Sequence, residues 1–263
     1  MQKVTLPVLN EIRARNEKFA VLTAYDFTFS RLLEQAQIEV VLVGDSLGNV
    51  IQGRDSTLPV TVEDMVYHTA AVKRGNGKSL LISDMPFMSY ATVEQALYNA
   101  SALMQAGAHM VKLEGGRWLA ETVAALTERG IPVCGHIGLT PQSVHKMGGY
   151  KVQGRDEGAA AAMIADAVEL QQAGADLMLV ECIPSALGRD LRAALEIPLI
   201  GIGAGPDTDG QVLVLHDMLG ISARLPSFSH NFLASQPSIA EALSAYGKAV
   251  RCGEFPAQEH CFD

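Results

Sequence analysis

The sequence predicts a single-domain α/β protein of the (β/α)₈ TIM-barrel class. Eight short apolar runs recur along the chain, and helical patterns separate most of them. Hydrophobicity within the runs is continuous rather than alternating, which is typical of strands buried on both faces of a helix-covered parallel sheet. A length of 263 residues fits one such barrel, which commonly has about 250. A doubly wound open sheet is the alternative fold, because it is built from the same βα units.

The eight predicted strands lie between predicted helices, and the eighth strand has the weakest pattern. Strands are predicted at residues 19–23, 40–43, 80–83, 110–113, 132–135, 177–180, 199–202 and 212–215. Helical spacing of apolar residues predicts helices at 61–73, 92–104, 118–128, 158–172 and 187–195. Gly107 and Gly174 stand where helix-to-strand turns need glycine. A last helix is predicted at 238–250 as a C-terminal extension, and we expect a single domain over residues 1–263.

Composition and charge exclude several classes of function. The formal net charge is −9 and no predicted helix carries a basic stripe, so nothing would neutralise a nucleic-acid backbone. No apolar run approaches the roughly 20 residues of a membrane span, and the first residues lack the apolar segment of a signal peptide. The four cysteines show no C-x-x-C pairing and are interpreted as reduced thiols. We therefore expect a cytoplasmic protein that binds neither nucleic acid nor membrane.

Charged side chains stand at the ends of five consecutive predicted strands. They are Asp45, Asp84, Lys112, Glu114, His136 and Glu181. In a barrel the carboxyl ends of the strands carry the functional side chains, so these groups should converge on one pocket. A single acid after a strand is often only a helix cap or a turn former. Several charged residues at equivalent positions favour a site.

Lys112 and Glu114 are two residues apart, so on a strand they point to the same side, while Val111 and Leu113 point to the other. One face of the strand must therefore hold both charges. The alternative to a functional role is a self-satisfied ion pair that plugs the end of the barrel.

The three carboxylates Asp45, Asp84 and Glu114 predict a site for a hard cation. Oxygen ligands without clustered Cys or His favour Mg²⁺ or a similar ion over Zn²⁺. Such an ion can chelate a 2-oxo acid and stabilise its enolate. Glu181 has apolar neighbours that disfavour a charge, which makes it the best candidate for the general base. The alternative for Glu181 is a buried structural acid.

Two glycine motifs suggest other chemistries, which we reject. Residues 44–48 match the G-x-S-x-G pattern of serine hydrolases, but residues 49–55 show no helical face, and that motif needs a helix directly after it. The glycine-rich segment 201–205 lies late in the chain and lacks the full G-x-G-x-x-G pattern of dinucleotide-binding folds. It is interpreted as a tight turn or a close approach of backbone to ligand.

Several longer strings occur in order along the chain and together are far more specific than any single glycine motif. They are VGDSLG at 43–48, DSTLPVT at 55–61, DMPF at 84–87, VKLEGG at 111–116, GHIGLTPQ at 135–142 and GIGAG at 201–205. In these strings the chain closely resembles the ketopantoate hydroxymethyltransferase family, from about residue 18 to residue 260.

The resemblance implies a barrel of the phosphoenolpyruvate mutase-like superfamily. Its members transfer a hydroxymethyl group from 5,10-methylenetetrahydrofolate to 3-methyl-2-oxobutanoate, giving ketopantoate for pantothenate synthesis. The resemblance also implies magnesium ligands, a proton acceptor and side chains that bind the oxo acid. The magnesium ligands would be Asp45, Asp84 and Glu114, and the proton acceptor would be Glu181. The residues that bind the oxo acid would be Asp45, Ser46, Asp84, Lys112 and His136. Among these, Ser46 and Lys112 would bind its carboxylate.

The family assembles as a homodecamer, so an oligomer is expected from the resemblance alone. Segment 222–226 is shorter and poorer in glycine than the corresponding family loop, which affects only detail near the cosubstrate entrance. One alternative is a related barrel lyase or mutase acting on another oxo acid, but the cysteine-bearing loop of those enzymes is missing here. A catalytically silent oligomeric scaffold or ligand-binding barrel is the alternative from a different class.

Overall fold

The computed structural model describes residues 2–263 and contains a closed barrel of eight parallel strands. This confirms the predicted fold class and excludes the open sheet. Each strand pairs with the next along the chain, and the last pairs with the first. The strands are β1 Phe19–Thr23, β2 Val40–Val43, β3 Leu80–Asp84, β4 Met110–Glu114, β5 Val133–Gly138, β6 Leu177–Glu181, β7 Leu199–Ile202 and β8 Gly210–Leu213.

Helices accompany the strands along the chain. They are α1 Leu6–Ala14, α2 Phe27–Gln35, α3 Leu47–Val50, α4 Val62–Gly75, α5 Val93–Gln105, α6 Ala120–Thr127, α7 Val144–Met147, α8 Glu157–Gln172, α9 Ser185–Ala194, α10 Leu215–Met218 and α11 Ile239–Arg251. Short 3₁₀ helices occur at Arg117–Leu119, Pro141–Ser143, Phe232–Ser235 and Gln258–His260. All six predicted helices are present with small shifts at their ends. Thr92 caps α5 as predicted, since its side chain accepts a hydrogen bond from the Gln95 amide. Among the helices described, none is both long enough and apolar enough to span a membrane.

Strand β8 begins two residues earlier than the sequence predicted, and Leu215 already belongs to α10. Gly210 pairs with Phe19 of β1, and a Cβ at position 210 would lie only 2.5 Å from the Phe19 ring. The close approach therefore requires glycine. Because glycine is uncommon in strands, the sequence pattern does not show that the strand begins here. The Leu215 amide donates to Thr23 Oγ1 at 2.8 Å, which helps to end the strand.

The interior of the barrel is apolar at its amino-terminal end. Alternate strand residues such as Phe19, Leu80 and Met110 point inward and pack in one buried cluster. Helix α1 contributes the fully buried Leu9 to the same cluster. Val4, just before α1, donates its amide to the Lys78 carbonyl at 2.7 Å. Helix α1 therefore closes this end, and the polar chemistry is left to the opposite end.

Helix α11 packs against β1 beside the seam of the barrel. Its residue Tyr246 is completely buried. The Tyr246 hydroxyl lies 3.0 Å from the Val21 carbonyl oxygen and 2.8 Å from that of Gln211, so it bridges β1 and β8. The four cysteines are free thiols, as predicted.

Candidate active site

Parallel register brings the predicted charged residues side by side at the carboxyl end of the barrel. Asp84 is aligned with Lys112, and Glu114 with His136. Asp84, Glu114 and Glu181 are the last residues of their strands rather than the first loop residues, and His136 lies within β5. Asp45 follows β2 by two residues. Because regular strands hold most of these side chains, their positions are fixed by the barrel itself.

Lys112 lies at the centre of this group and is buried. Its Nζ is 3.2 Å from Asp84 Oδ1, 3.8 Å from Glu114 Oε1 and 3.1 Å from His136 Nδ1. Val111 and Leu113 pack in the outer core between strands and helices, as their spacing predicted. Burial alone would lower the pKa of Lys112, but the neighbouring carboxylates outweigh it and raise the pKa. The lysine is therefore charged, with more acid around it than one ammonium can balance.

Asp45 and Asp84 are buried carboxylates joined by one hydrogen bond. The Asp45 amide donates to Asp84 Oδ2 at 3.0 Å, whereas the buried Asp84 Oδ1 forms an ion pair with Lys112 Nζ at 3.2 Å but accepts no well-aligned hydrogen bond within the described chain. Burial, reinforced by the charges of Glu114 and Asp84, raises the pKa of Asp45 well above its usual range. Burial also raises the pKa of Asp84. A cation between the two carboxylates would relieve both penalties.

Glu114 is already occupied by protein donors. Its Oε1 lies 3.2 Å from His136 Nδ1, and its Oε2 accepts a hydrogen bond from the Gln142 amide at 3.0 Å. Burial would raise the pKa of Glu114, but His136 and Lys112 outweigh it and lower the pKa. His136 Nδ1 either accepts from Lys112 or, when protonated there, donates to Glu114.

The donor set fits a magnesium ion held by two carboxylates. Across residues 2–263, no cluster of three or more His, Cys, Asp or Glu side chains is arranged to enclose a metal. Mg²⁺ does not need such a cage, because it usually binds through one or two carboxylates and keeps waters or substrate oxygens as its other ligands. Asp45 and Asp84 supply two such carboxylates, and Asp84 Oδ1 has an ion pair with Lys112 but no aligned hydrogen bond. Both oxygens of Glu114 already face donors on His136 and Gln142, so Glu114 fits a position next to the ligands of the ion better than direct contact with it.

Ser46 borders the acidic pair, and its Oγ is 2.9 Å from the Tyr25 hydroxyl. Helix α3 begins directly after Ser46, so the expectation that no helix follows the G-x-S-x-G motif is wrong. The helix has only four residues, too few to show a periodic apolar face in the sequence. No histidine of the described chain is hydrogen-bonded to Ser46, so the base that a serine nucleophile needs is not in place.

Glu181 lies at the rim of the group, nearer to solvent than its apolar sequence neighbours suggested. Its side chain is 14 % exposed, against 4 % for Lys112. Glu181 Oε2 is 3.4 Å from His136 Nε2, which makes no hydrogen bond in the described structure. Cys182 follows with a left-handed backbone at φ 49°, a strained conformation that directs the chain away from the strand at this carboxylate.

The glycine-rich segment after β7 makes tight turns. Gly203 and Gly205 have φ values of 58° and 77°, and a Cβ on Gly205 would meet Ser185 at 2.6 Å. The segment therefore packs closely against the start of α9, in agreement with the predicted tight turn.

Sequence reasoning missed three polar residues that contact the site, namely Tyr25, Tyr90 and Gln142. Tyr90 is buried under Trp118, whose ring stacks 6.4 Å away, and reaches both Glu114 and Gln142. Only Gln142 had a signal, because it ends the string GHIGLTPQ. Tyr90 lies in an irregular segment where no periodicity marks it.

Comparison with curated sequences gives near-complete matches. An enzyme of Shewanella loihica named 3-methyl-2-oxobutanoate hydroxymethyltransferase is 60 % identical over 263 residues, covering 100 % of both chains. The protein of the same name from Marinobacter nauticus is 59 % identical over 98 % of each chain.

Solved structures of low sequence identity share the fold. A phosphonopyruvate hydrolase solved with oxalate and Mg²⁺ superposes with a TM-score of 0.64 at 14 % identity, covering 99 % of this chain and 93 % of that one. A 2,3-dimethylmalate lyase of the PEP mutase/isocitrate lyase superfamily gives 0.60 at 14 % identity, covering 98 % and 100 %. The family model for ketopantoate hydroxymethyltransferase matches residues 3–258. With this match added to the barrel and its charged carboxyl end, the chain belongs to the ketopantoate hydroxymethyltransferase family.

Proposed function

We propose that the protein transfers a hydroxymethyl group from 5,10-methylenetetrahydrofolate to 3-methyl-2-oxobutanoate, producing ketopantoate in pantothenate biosynthesis. The observation that carries the proposal is the buried carboxyl-end cluster, in which a lysine, a histidine and three acids meet within hydrogen-bonding or ion-pair distances. Full-length relatives carry the corresponding enzyme name, which supports the same substrates.

Asp45 and Asp84 would hold a divalent cation, which we take to be Mg²⁺. When bound, the ion supplies a Lewis acid that polarises the keto oxygen of the substrate. The structural neighbour solved with Mg²⁺ and oxalate supports this assignment, since oxalate, like a 2-oxo acid, presents oxygens on two adjacent carbons. Glu114 keeps His136 oriented and adds negative charge nearby.

Lys112 and Ser46 are proposed to bind the substrate carboxylate. Lys112 carries the buried positive charge, and Ser46 offers a hydroxyl whose direction is set by Tyr25. His136 is proposed to contact the oxo acid between them, because its Nε2 has no other hydrogen-bond partner in the described structure. These contacts would fix the oxo acid with C3 towards the rim of the site.

Glu181 is proposed to remove the proton from C3. The electron pair left on C3 then forms a C–C bond to the one-carbon unit. Both N–CH₂ bonds of the folate are broken, and one water supplies the oxygen of the new hydroxyl group. The proton taken from C3 and one proton of the water end on the two nitrogens of the departing tetrahydrofolate. The rim position suits this role, because Glu181 faces both the buried oxo acid and the solvent side from which a folate arrives.

Lys112→Met is expected to weaken binding of the oxo acid by about 10- to 100-fold, the range of a lost charged hydrogen bond. Calorimetric titration with 3-methyl-2-oxobutanoate in the presence of Mg²⁺ measures the affinity, and thermal unfolding measures stability. An unchanged affinity together with a lower melting temperature would show that Lys112 is only an ion-pair plug.

The activity itself is tested by following ketopantoate formation from the two substrates, with and without a chelator. We expect product only when both substrates and a divalent ion are present. Product formation at full rate after exhaustive chelation would exclude the metal assignment, and no product under any condition would exclude the proposed reaction. A lyase or mutase acting on another 2-oxo acid would then be tested with a panel of oxo acids.

We also propose that the protein forms a homo-oligomer, a decamer by resemblance to its family. Three aromatic side chains on neighbouring outer segments support it: Tyr67 is 70 % exposed, Tyr98 77 % and Trp118 65 %. Sedimentation at the mass of a single 28.1 kDa chain would contradict it.

A further inference from the structure

Gln142 connects three of the loops that follow neighbouring strands. Its side-chain Nε2 donates to Asp45 Oδ2 at 2.9 Å and to the Met85 carbonyl at 3.0 Å. Its backbone amide donates to Glu114 Oε2 at 3.0 Å. Gln142 is buried and lies outside the strands, in the 3₁₀ helix Pro141–Ser143 after β5. One residue thus contacts two of the acids, Asp45 through its side chain and Glu114 through its backbone.

Tyr90 determines which way the Gln142 amide points. The Glu114 amide donates to the Tyr90 hydroxyl at 3.3 Å. The single hydrogen of that hydroxyl has two acceptors in reach, Gln142 Oε1 at 2.5 Å and the Glu114 carbonyl oxygen at 3.1 Å, and the shorter distance favours Gln142. With Oε1 accepting from Tyr90, the amide nitrogen must face Asp45 and Met85. The reverse orientation would set Oε1 against a carboxylate and a carbonyl, two acceptors that cannot donate to it.

Asp45 needs such a partner more than the other acids do. It lies on the loop after β2 rather than on a strand, so the barrel does not fix its side chain. The negative charges of Glu114 and Asp84 repel its carboxylate. A hydrogen bond to a charged acceptor is about twice as strong as one between neutral groups. The bond from Gln142 Nε2 can therefore hold Asp45 Oδ2 in place against that repulsion. The other carboxylate oxygen, Oδ1, is then left to bind a cation.

We propose that Gln142 is a positioning residue that fixes the Asp45 carboxylate for the divalent cation, and that Tyr90 acts through it by orienting its amide. This inference rests on the proposed function, because the cation at Asp45 and Asp84 is itself proposed there. Neither residue needs to touch the substrate. Outer partners of metal ligands commonly change metal affinity by 10- to 100-fold when they are removed.

The test compares Gln142→Met, Tyr90→Phe and the double variant by calorimetric titration of Mg²⁺, first alone and then with 3-methyl-2-oxobutanoate present. Gln142→Met keeps the length of the side chain and the backbone bond to Glu114, and should weaken Mg²⁺ binding about 10- to 100-fold. Tyr90→Phe should weaken it less. The double variant should match Gln142→Met alone, because Tyr90 has nothing left to orient.

Tyr246→Phe is the matched control, since it also removes a buried tyrosine hydroxyl. That hydroxyl bridges backbone carbonyls of β1 and β8 and contacts none of the acids of the site. Tyr246→Phe should lower the melting temperature without changing Mg²⁺ affinity. If Gln142→Met folds and binds Mg²⁺ with wild-type affinity, the inference is overturned. If Gln142→Met does not fold, wild-type affinity in Tyr90→Phe overturns it. Additive losses in the double variant would overturn the ordering of Tyr90 through Gln142. Failure of the wild type to bind Mg²⁺ would instead remove the proposed metal site on which the inference rests.

Discussion

Glu181→Gln is expected to bind the oxo acid normally and to lose exchange of its C3 hydrogen by about 10²- to 10⁴-fold, the contribution of a positioned general base. The amide keeps the shape of the side chain at the rim of the barrel and removes its basicity. Proton abstraction should occur before the one-carbon unit is needed. The two steps can therefore be separated by leaving the folate out.

The measurement follows deuterium incorporation at C3 by proton NMR, with 3-methyl-2-oxobutanoate and Mg²⁺ in D₂O. Calorimetry on the same variant shows whether the substrate still binds. Exchange at the wild-type rate in a folded, substrate-binding Glu181→Gln protein would assign the base elsewhere and leave Glu181 as a structural acid. His136, 3.4 Å away, would be the next candidate.

Asp84→Ala is expected to abolish measurable binding of Mg²⁺ together with the oxo acid. Asp84 is one of the two carboxylates proposed to hold the ion, so its removal would leave Asp45 as the one remaining proposed ligand. The metal-free variant also loses the acceptor of the Asp45 amide and an ion pair of Lys112, so its melting temperature without Mg²⁺ is measured first as the baseline. Mg²⁺ should raise the melting temperature of the wild type and leave that of the variant unchanged, since only a ligand that binds the folded state stabilises it.

Asp176→Ala is a suitable control for the aspartate replacement. Asp176 accepts a hydrogen bond from the Val133 amide at 3.2 Å and directly precedes β6, at the amino-terminal end of the strand. This variant should lose stability and keep its response to Mg²⁺. Undiminished ternary binding in Asp84→Ala would rule out Asp84 as a ligand.

The barrel could be predicted because its strands are buried on both faces. A strand such as Leu177–Glu181 consists of apolar residues up to its last position, so the run itself and the charge that ends it are both visible in the sequence. The same regularity places Lys112 and Glu114 on one face. For these residues, knowing the strand and its direction was enough to predict convergence.

Residues outside regular strands could not be placed in that way. Tyr90 and Gln142 are 52 positions apart and meet only because the loops after β3 and β5 fold over the same end of the barrel. A tyrosine or a glutamine in a loop is common and carries no periodic signal. The partners of Glu114 were equally hidden, since the Gln142 amide that donates to it comes from a loop.

Helix α1, which seals the amino-terminal end of the barrel, has a kinetic consequence. The apolar side chains that fill the barrel above α1 leave its carboxyl end as the approach to Lys112. If the oxo acid binds beside Lys112 and the folate nearer to solvent, as proposed, a bound folate would block the departure of the oxo acid. We therefore expect the oxo acid to enter before the folate and ketopantoate to leave after tetrahydrofolate. A non-reactive folate analogue should therefore inhibit uncompetitively against the oxo acid, whereas random entry would give a noncompetitive pattern.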